Sequence, residues 1–499
     1  MKITTSSYSL YTAAQVYQLD AAAIGTGIPG IQLMKRAGSA AYELLIQRFP
    51  APALITVYCG GGKNGGDGYV LAALAAQRLV PVHVIQLAAP DTLIGEARLA
   101  YEFALQEGVK IIPLADAIPP TSGVLVDALL GIGLQGELRP HFITAIEQIN
   151  QSGLPVLAID IPSGLNADTG AVLTGVVIAS LTLTFIGIKR GLLTGRGLAV
   201  CGEVVLAELD IPSSVFARTP AMSECLQLSG LMSLLAPRAA DAHKGDFGHV
   251  MIIGGDTGYG GAALMAAEAA ARSGAGLVSL ATRPAHISAI LARCPEIMAN
   301  GVISGQELEP LLTRPSVLVV GPGLGRSPWS EQLLQQAVNS GLPMVIDADA
   351  LNILAAGRVV PAFAPRANCL LTPHPGEAAR LLGLSTADIE ADRFASVTRL
   401  QQKFGGAVIL KGAGSLILGG SGITGIVAQG NPGMASGGMG DVLSGILGGL
   451  MAQGLAVENA ARLGAVLHAN AADLAADETG KRSLLATDLI PYLCQLLSE

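Results

Sequence analysis

The chain has 499 residues, enough for two or more domains, and is 51% hydrophobic with 14% charged and 4% aromatic residues. That composition suits large α/β domains whose parallel strands are buried on both faces. A formal net charge of -8 excludes a broad nucleic-acid surface but leaves a local nucleotide pocket open.

The N-terminus, Met-Lys-Ile-Thr-Thr-Ser-Ser-Tyr, lacks the apolar core of a signal peptide. Two helical stretches follow, residues 13–23 and 31–48, parted by a Gly/Pro break. A strand at 54–59 leads into the glycine loop 60–68 and then an apolar helical run, 69–79. Further strands read at 82–87, 124–127, 156–159 and 181–185, and the whole of 171–188 reads as buried strands. The pattern weakens over 213–241, which reads as a connector. A second series of strands lies at 250–253, 277–281, 317–320, 344–347, 369–372, 407–410 and 415–418, with helices at 262–273 and 330–339. From 441 to 476 the chain reads as helices, and its uncharged run 442–457 is too short and too broken by glycine to span a bilayer. Alternating strands and helices predict two α/β halves with mostly parallel sheets. Six scattered cysteines (Cys59, Cys201, Cys225, Cys294, Cys369, Cys494) contain no CxxC pair. They read as reduced thiols of a soluble, cytoplasmic protein, with neither zinc nor a membrane span expected.

Three segments of the first half carry chemistry. Lys63-Asn64-Gly65-Gly66-Asp67-Gly68 sits at a strand-to-helix turn, where backbone N–H groups favour a phosphate. It is neither a P-loop nor a GxGxxG. Asp127 opens Asp-Ala-Leu-Leu-Gly-Ile-Gly-Leu-Gln-Gly-Glu, and Asp160 opens Asp-Ile-Pro-Ser-Gly, each at a strand's C-terminal end. With the Asn64 amide and Ser163 hydroxyl, these acids would surround a hard cation with oxygen. One of them would alternatively serve as a general base, and loop caps and turns remain a third reading. In order and spacing, residues 10–215 resemble the NAD(P)H-hydrate epimerases, whose pattern runs Asn-Asn-Gly-Gly-Asp-Gly, Asp-Ala-x-x-Gly-x-Gly, Asp-x-Pro-Ser-Gly. The resemblance implies potassium held by Asn64, Asp127 and Ser163. It implies hydrated nicotinamide nucleotide bound by Lys63, Asn64, Gly65, Gly66 and Asp67, by Gly131, Ile132, Gly133, Leu134, Gln135, Gly136 and Glu137, and by Asp160. Asp160 is the candidate for proton transfer at the C6 centre. Lys63 departs from the family's usual asparagine, which predicts tuned binding rather than lost activity.

In the second half the most informative string is Asn431-Pro-Gly-Met-Ala-Ser-Gly-Gly-Met-Gly-Asp441. Such a loop beside a helix N-terminus forms an anion site, and one carboxylate there is what phosphoryl transfer needs to orient or deprotonate a hydroxyl. A turn with a helix-capping aspartate is the other reading. Five segments accompany it: Lys244–His249, Gly254–Ala263, Gly321–Gly325, Thr372–Glu377 and Lys411–Ser415, the last four at strand exits. His374, fixed by Pro375, is a ligand contact or a rigid turn. Lys411 meets phosphate or closes a turn. Asp347 and Asp349 line the site through water or magnesium, or cap a helix. Over residues 235–495 the set resembles the ribokinase-like superfamily. Within it, KGDFGHV, GPGLG, TPHPGE and NPGMASGGMGDVLSG resemble the ADP- or ATP-dependent NAD(P)H-hydrate dehydratases. That resemblance implies that Ala263, Gly323, His374 and Asp441 contact the hydrated nucleotide. It further implies that Lys411, Gly412, Ala413, Gly414, Ser415 and Gly440 hold ADP or ATP with Mg2+, and that Asp441 is the base.

The expected organisation is an N-terminal Rossmann-like α/β sandwich (1–215), a connector (216–234) and a C-terminal ribokinase-like α/β domain (235–499). The expected function is isomerase and lyase in one chain: R and S forms of hydrated NADH or NADPH are interconverted, and the S form is dehydrated at the expense of ADP or ATP. Partners are small-molecule nucleotides, with a homo-oligomer suggested by the resemblance. The alternative is a ribokinase-like small-molecule kinase fused to a nucleotide-binding module.

Overall fold

The computed structural model describes residues 7–134, 136–172, 174–360 and 363–498. The chain divides into two compact units between Glu224 and Cys225, a point inside the expected connector.

In the first unit, seven strands run parallel: β1 (Ile55–Cys59), β2 (Val82–Gln86), β3 (Lys110–Pro113), β4 (Val124–Ala128), β5 (Val156–Ile159), β6 (Leu181–Phe185) and β7 (Glu203–Ala207). Their order is β3-β2-β1-β4-β5-β6-β7. Chain direction across the sheet reverses beside β1, which opens a crevice at the carboxyl ends of β1 and β4, the usual ligand position in such sheets. Val57, Val84 and Val126 pack into a cluster with α1 (Ala13–Gly25), α2 (Gly30–Arg48) and α3 (Lys63–Gln77). Tyr58, Ile85 and Leu125 face the other way, onto Ala145, Ile146 and Ile149 of the helix Pro140–Gln151. Apolar side chains on both faces are what make these strands near-continuous hydrophobic runs.

The helix after β1 begins at Lys63, not at Tyr69 as the glycine loop predicts. Packing explains the difference. A Cβ on Gly65 would fall 2.0 Å from the Gly60 carbonyl oxygen, one on Gly66 would lie 2.6 Å from Met34, and one on Gly68 would lie 2.6 Å from Ala128. These glycines let the first turns of α3 lie against strand and helix, which offsets a helix-propensity cost of about 1 kcal/mol each. The edge strands Lys110–Pro113 and Glu203–Ala207 escaped the sequence reading, and among the described residues of 171–188 strand runs from Leu181 to Phe185 and resumes at Ile188–Lys189, with an isolated bridge at Val172.

In the second unit, strands β8 (His249–Ile253), β9 (Leu277–Thr282), β10 (Met298–Gly301), β11 (Val317–Val320), β12 (Met344–Ile346), β13 (Cys369–Leu371), β14 (Ala407–Leu410), β15 (Ser415–Leu418) and β16 (Thr424–Val427) are ordered β10-β9-β8-β11-β12-β13-β14-β15-β16. Strands β8 to β14 are parallel, and β15 and β16 return antiparallel. The short strands β10 and β16 were not anticipated. A helix, α4 (Met439–Ala452), begins two residues before Asp441 and packs on the helix Gly260–Arg272. The approach is close because α4 is glycine-rich: a Cβ on Gly445 would fall 2.1 Å from the Ala266 carbonyl oxygen. No helix among the described residues is long and apolar enough to cross a membrane.

Candidate functional site

The crevice of the first unit is a cavity of about 540 Å3. Lys63, Asn64, Asp67, Gly131, Ile132, Gly133, Leu134, Glu137 and Asp160 line it, as the sequence predicts; Gly65, Gly66 and Gly136 do not. Gln135 lies outside the described residues. Gly65 and Gly66 are buried by the packing just described, and the Gly66 N–H is already donated to the Gly62 carbonyl at 3.1 Å. Lys63 donates to Asp20 Oδ2 at 2.7 Å on the rim.

Beneath the cavity lies a knot of oxygen atoms. The Asp127 carboxylate, fully buried, accepts from the Ser163 hydroxyl at 2.6 Å, the Ser163 N–H at 2.7 Å and the Leu129 N–H at 3.2 Å. Burial pushes this carboxyl up to about 6, against the pull of those donors. Asn64 donates its amide to the Leu130 carbonyl at 2.9 Å, and its Oδ1 is buried with no partner. An orphaned acceptor beside a carboxylate, a hydroxyl and a carbonyl is an arrangement that a cation with oxygen ligands would complete. No cluster of three His, Cys, Asp or Glu side chains suited to a metal occurs among the described residues.

Asp160 stands at the exit of β5 with φ of 68°, a left-handed conformation that a non-glycine residue adopts only under constraint. Its N–H is fixed on the Leu183 carbonyl at 2.7 Å. Its Oδ1 accepts from the Phe185 N–H at 3.2 Å and from the Lys189 ammonium. Lys189, fully buried, is the residue that sequence reasoning missed. Its signal was a lone lysine closing an otherwise uncharged β-branched run, a pattern that also fits the end of a strand. Asp67, buried nearby, has its carboxyl pushed well up by burial, then by the charges of Asp160 and Asp20.

In the second unit, loops leave five consecutive neighbours in the sheet, β8, β11, β12, β13 and β14, at their C-terminal ends. The Asp256 N–H donates to the Gly323 carbonyl at 2.7 Å, joining the first two loops. Gly321, Gly323 and Gly325 all have left-handed φ, so the turn after β11 needs glycine at each. Asp349 fastens that turn, its Oδ2 accepting from the Gly325 N–H at 2.9 Å. Ala263 is fully buried in the core cluster, so its methyl faces packing rather than an open site.

The charged centre is built on β12 and β14. Lys411 donates to Asp347 Oδ1 at 2.8 Å, and Ser444 donates to Asp347 Oδ2 at 2.6 Å. Burial works to raise the Asp347 carboxyl, but Lys411, Ser444 and Thr372 together hold it below the usual range. Asp347 is therefore an ionised partner of Lys411, not a side-chain cap of the helix it begins. A Cβ on Gly440 would sit 3.3 Å from the Lys411 ammonium, so the first turn of α4 lies directly against the lysine. Asp441 follows in that turn, with Gly438 in the left-handed conformation before it. Burial, then the charge of Asp347, pushes the Asp441 carboxyl up to about 7, although Lys411 opposes the shift.

His374 caps the helix Pro375–Leu382, its Nδ1 accepting from the Gly376 N–H at 3.0 Å. Burial and the Lys411 and Arg380 charges lower its pKa, which keeps the ring neutral and Nε2 a donor. Glu377 beside it is raised to about 7, mainly by burial. Residues Lys411 to Ser415 form the tight turn from β14 into β15, where Gly412 and Gly414 are left-handed. The buried guanidinium of Arg393, also missed from sequence, donates to the Leu410 and Lys411 carbonyls at 3.2 and 3.3 Å and holds that turn.

Comparison with known proteins gives the same division. The family model described as NAD(P)H-hydrate dehydratase matches residues 250–495, and that described as YjeF-related protein N-terminus matches residues 30–191. A bifunctional NAD(P)H-hydrate repair enzyme of Coxiella burnetii is 46% identical over 98% of this chain and 99% of its own. One from Escherichia coli K12 is 42% identical over 95% of this chain and 90% of its own. A ribokinase-like superfamily protein of Enterococcus faecalis has a solved structure with a TM-score of 0.50 at 31% identity, covering 55% of this chain and 94% of its own. At that identity over nearly the full length of both chains, the chain belongs to the family of bifunctional NAD(P)H-hydrate repair enzymes.

Proposed function

We propose that this chain repairs hydrated NADH and NADPH. The first unit interconverts the R and S forms at C6, and the second dehydrates the S form with ADP or ATP, releasing AMP or ADP and phosphate. The observation that carries the second activity is Asp441: a carboxyl in the first turn of a glycine-entered helix, raised to about 7 and set beside Lys411.

A ring hydroxyl is a poor leaving group. Asp441 takes its proton as the oxygen attacks the terminal phosphorus of the adenine nucleotide. Free N–H groups at the start of α4 stabilise charge on the transferred phosphoryl, and Lys411 and the turn through Gly412, Ala413, Gly414 and Ser415 hold the nucleotide. The N1 electron pair then expels phosphate from C6, and loss of a C5 proton to water restores the C5=C6 double bond. His374 would donate Nε2–H to the hydrated substrate, with Gly323 beside it. Magnesium would accompany the nucleotide phosphates, and Asp347 and Asp349 would meet it through water.

In the first unit, Asn64, Asp127 and Ser163 would hold potassium, with the unpartnered Asn64 Oδ1 as the supporting observation. Asp160 would move the proton of the C6 hydroxyl. The lining residues Lys63, Asp67, Gly131, Ile132, Gly133, Leu134 and Glu137 would receive the nucleotide. We further read the protein as a cytoplasmic homo-oligomer.

The deciding experiment supplies mixed R and S hydrates with ADP or ATP and follows reduced-nucleotide absorbance. Recovery beyond the S fraction, faster than spontaneous epimerisation, is expected. A lasting phosphorylated product would instead identify a small-molecule kinase.

A further inference from the structure

Lys189 is fully buried, and each of its ammonium hydrogens has a partner: Asp160 Oδ1, the Thr184 hydroxyl at 3.1 Å and the Phe185 carbonyl at 2.9 Å. Its backbone is pinned in a two-residue strand, Ile188–Lys189, paired in parallel with Leu10 and Tyr11. A cation so placed needs a counter-ion, and among the described residues the acid in contact with it is Asp160. All the donors reaching Asp160 go to a single oxygen: Lys189, the Phe185 N–H and, at 3.5 Å, the Thr184 hydroxyl converge on Oδ1. Among the described residues Oδ2 accepts no hydrogen bond. It faces the cavity, 4.0 Å from the point where a Cβ on Gly131 would sit.

We propose that Lys189 is a positioning residue of the epimerase, fixing Asp160 as a base whose free oxygen, Oδ2, meets the C6 hydroxyl. The inference rests on the reading of Asp160 given above. C6 of the hydrate is a hemiaminal carbon, bearing both the hydroxyl and ring nitrogen N1. The proton passes from the hydroxyl oxygen to Oδ2, a C6=O bond forms, and the C6–N1 bond breaks with its electron pair going to N1. Rotation about C5–C6 presents the other face. N1 attacks again, and Oδ2 returns its proton to the oxygen, so atoms and charge balance without a co-reactant. Throughout, Oδ1 stays on Lys189, which stops the carboxyl from rotating and keeps the left-handed Asp160 turn in place.

The rival is a purely structural ion pair that ties the exits of β5 and β6 together. Lys189→Met keeps length and apolar volume but removes the charge. The expected result is a fall of about 100-fold in kcat for R-to-S conversion with KM within about threefold, because the group acts on the base and not on the nucleotide. Lys189→Arg should regain part of the loss. Dehydration of pure S hydrate by the same preparation serves as the concentration control. If Lys189→Met does not fold, Thr184→Val tests the point with the charge retained, and a fall of about fivefold in kcat at constant KM is expected. A kcat within threefold of wild type in Lys189→Met, or in Thr184→Val should that be the variant measured, would overturn the proposal. Asp160→Asn separates the two readings. If it too leaves epimerisation intact, the base assignment falls; if it alone is inactive, only the role of Lys189 falls.

Discussion

The two units place an acid at the same kind of position, the carboxyl edge of a parallel sheet, and support it in opposite ways. Asp160 is bound through one oxygen to a lysine with no exposure, on a turn held in the left-handed conformation. Asp441 stands in a helix's first turn, receives no donor from the described residues, and has its nearest cation committed to Asp347. The first arrangement holds a carboxylate still against a cation. The second leaves a carboxyl near neutrality until substrate and nucleotide arrive. Glycine differs too. Around Asp160 it serves close packing; around Asp441 it leaves backbone N–H groups open to an anion.

The sharpest test of this contrast is its independence. Asp441→Asn should lower dehydration of S hydrate by at least about 1,000-fold, because the hydroxyl loses its base, while R-to-S conversion stays within about twofold. Asp160→Asn should do the reverse. Absorbance recovery reads the first activity, and chromatographic separation of the epimers reads the second. A variant that impaired both activities alike would break the comparison, since the two sites would then be coupled.

Removing the cations probes the supports themselves. Lys411→Met should cost about 100-fold in dehydration and destabilise its unit by about 3 kcal/mol, since Asp347 is left buried and charged. Asp160→Asn creates the mirror defect, an unpaired buried ammonium at Lys189. Adding Lys189→Met should recover much of the lost melting temperature without restoring epimerisation. If the double variant were no more stable than Asp160→Asn, the pair would not be the mutual counter-ion that its geometry indicates.

Local motif order made much of this legible in the sequence. The strand exits carrying Asp127, Asp160, Gly321 to Gly325, His374 and Lys411 lie where the alternation of apolar runs and turn residues puts them. What failed was anything set by tertiary contact. Glycines 65, 66 and 68 look like a phosphate loop, and only the proximity of Gly60, Met34 and Ala128 shows them to be helix packing. Lys189 closes a run that reads as buried strand, and the segment around Arg393 carries no reading at all. Their roles come from burial, which no spacing encodes. Edge strands such as Lys110–Pro113 were missed because half-exposed residues carry no continuous apolar run.

Paired glycine substitutions would sharpen that lesson. Gly65→Ala should destabilise the first unit by about 1–3 kcal/mol, because its Cβ meets backbone at 2.0 Å. Gly440→Ala, whose Cβ meets the end of the Lys411 side chain at 3.3 Å, should leave melting nearly unchanged. It should instead raise KM for the adenine nucleotide by about tenfold, by crowding the phosphate site. Calorimetry and nucleotide titration separate the two outcomes.

The smallest expected effect concerns titration. A base raised to about 7 must lose its proton to act, so kcat/KM for dehydration should fall as pH drops through about 7. Asp349 contributes to that raised value through its charge, after burial and Asp347, with Lys411 opposing. Asp349→Asn keeps a side-chain oxygen for the Gly325 N–H but removes the negative charge, so the limb should move down by a fraction of a unit. The epimerase limb in the same protein should not move. An unchanged dehydratase limb would mean that Asp441 is raised by burial and Asp347 alone.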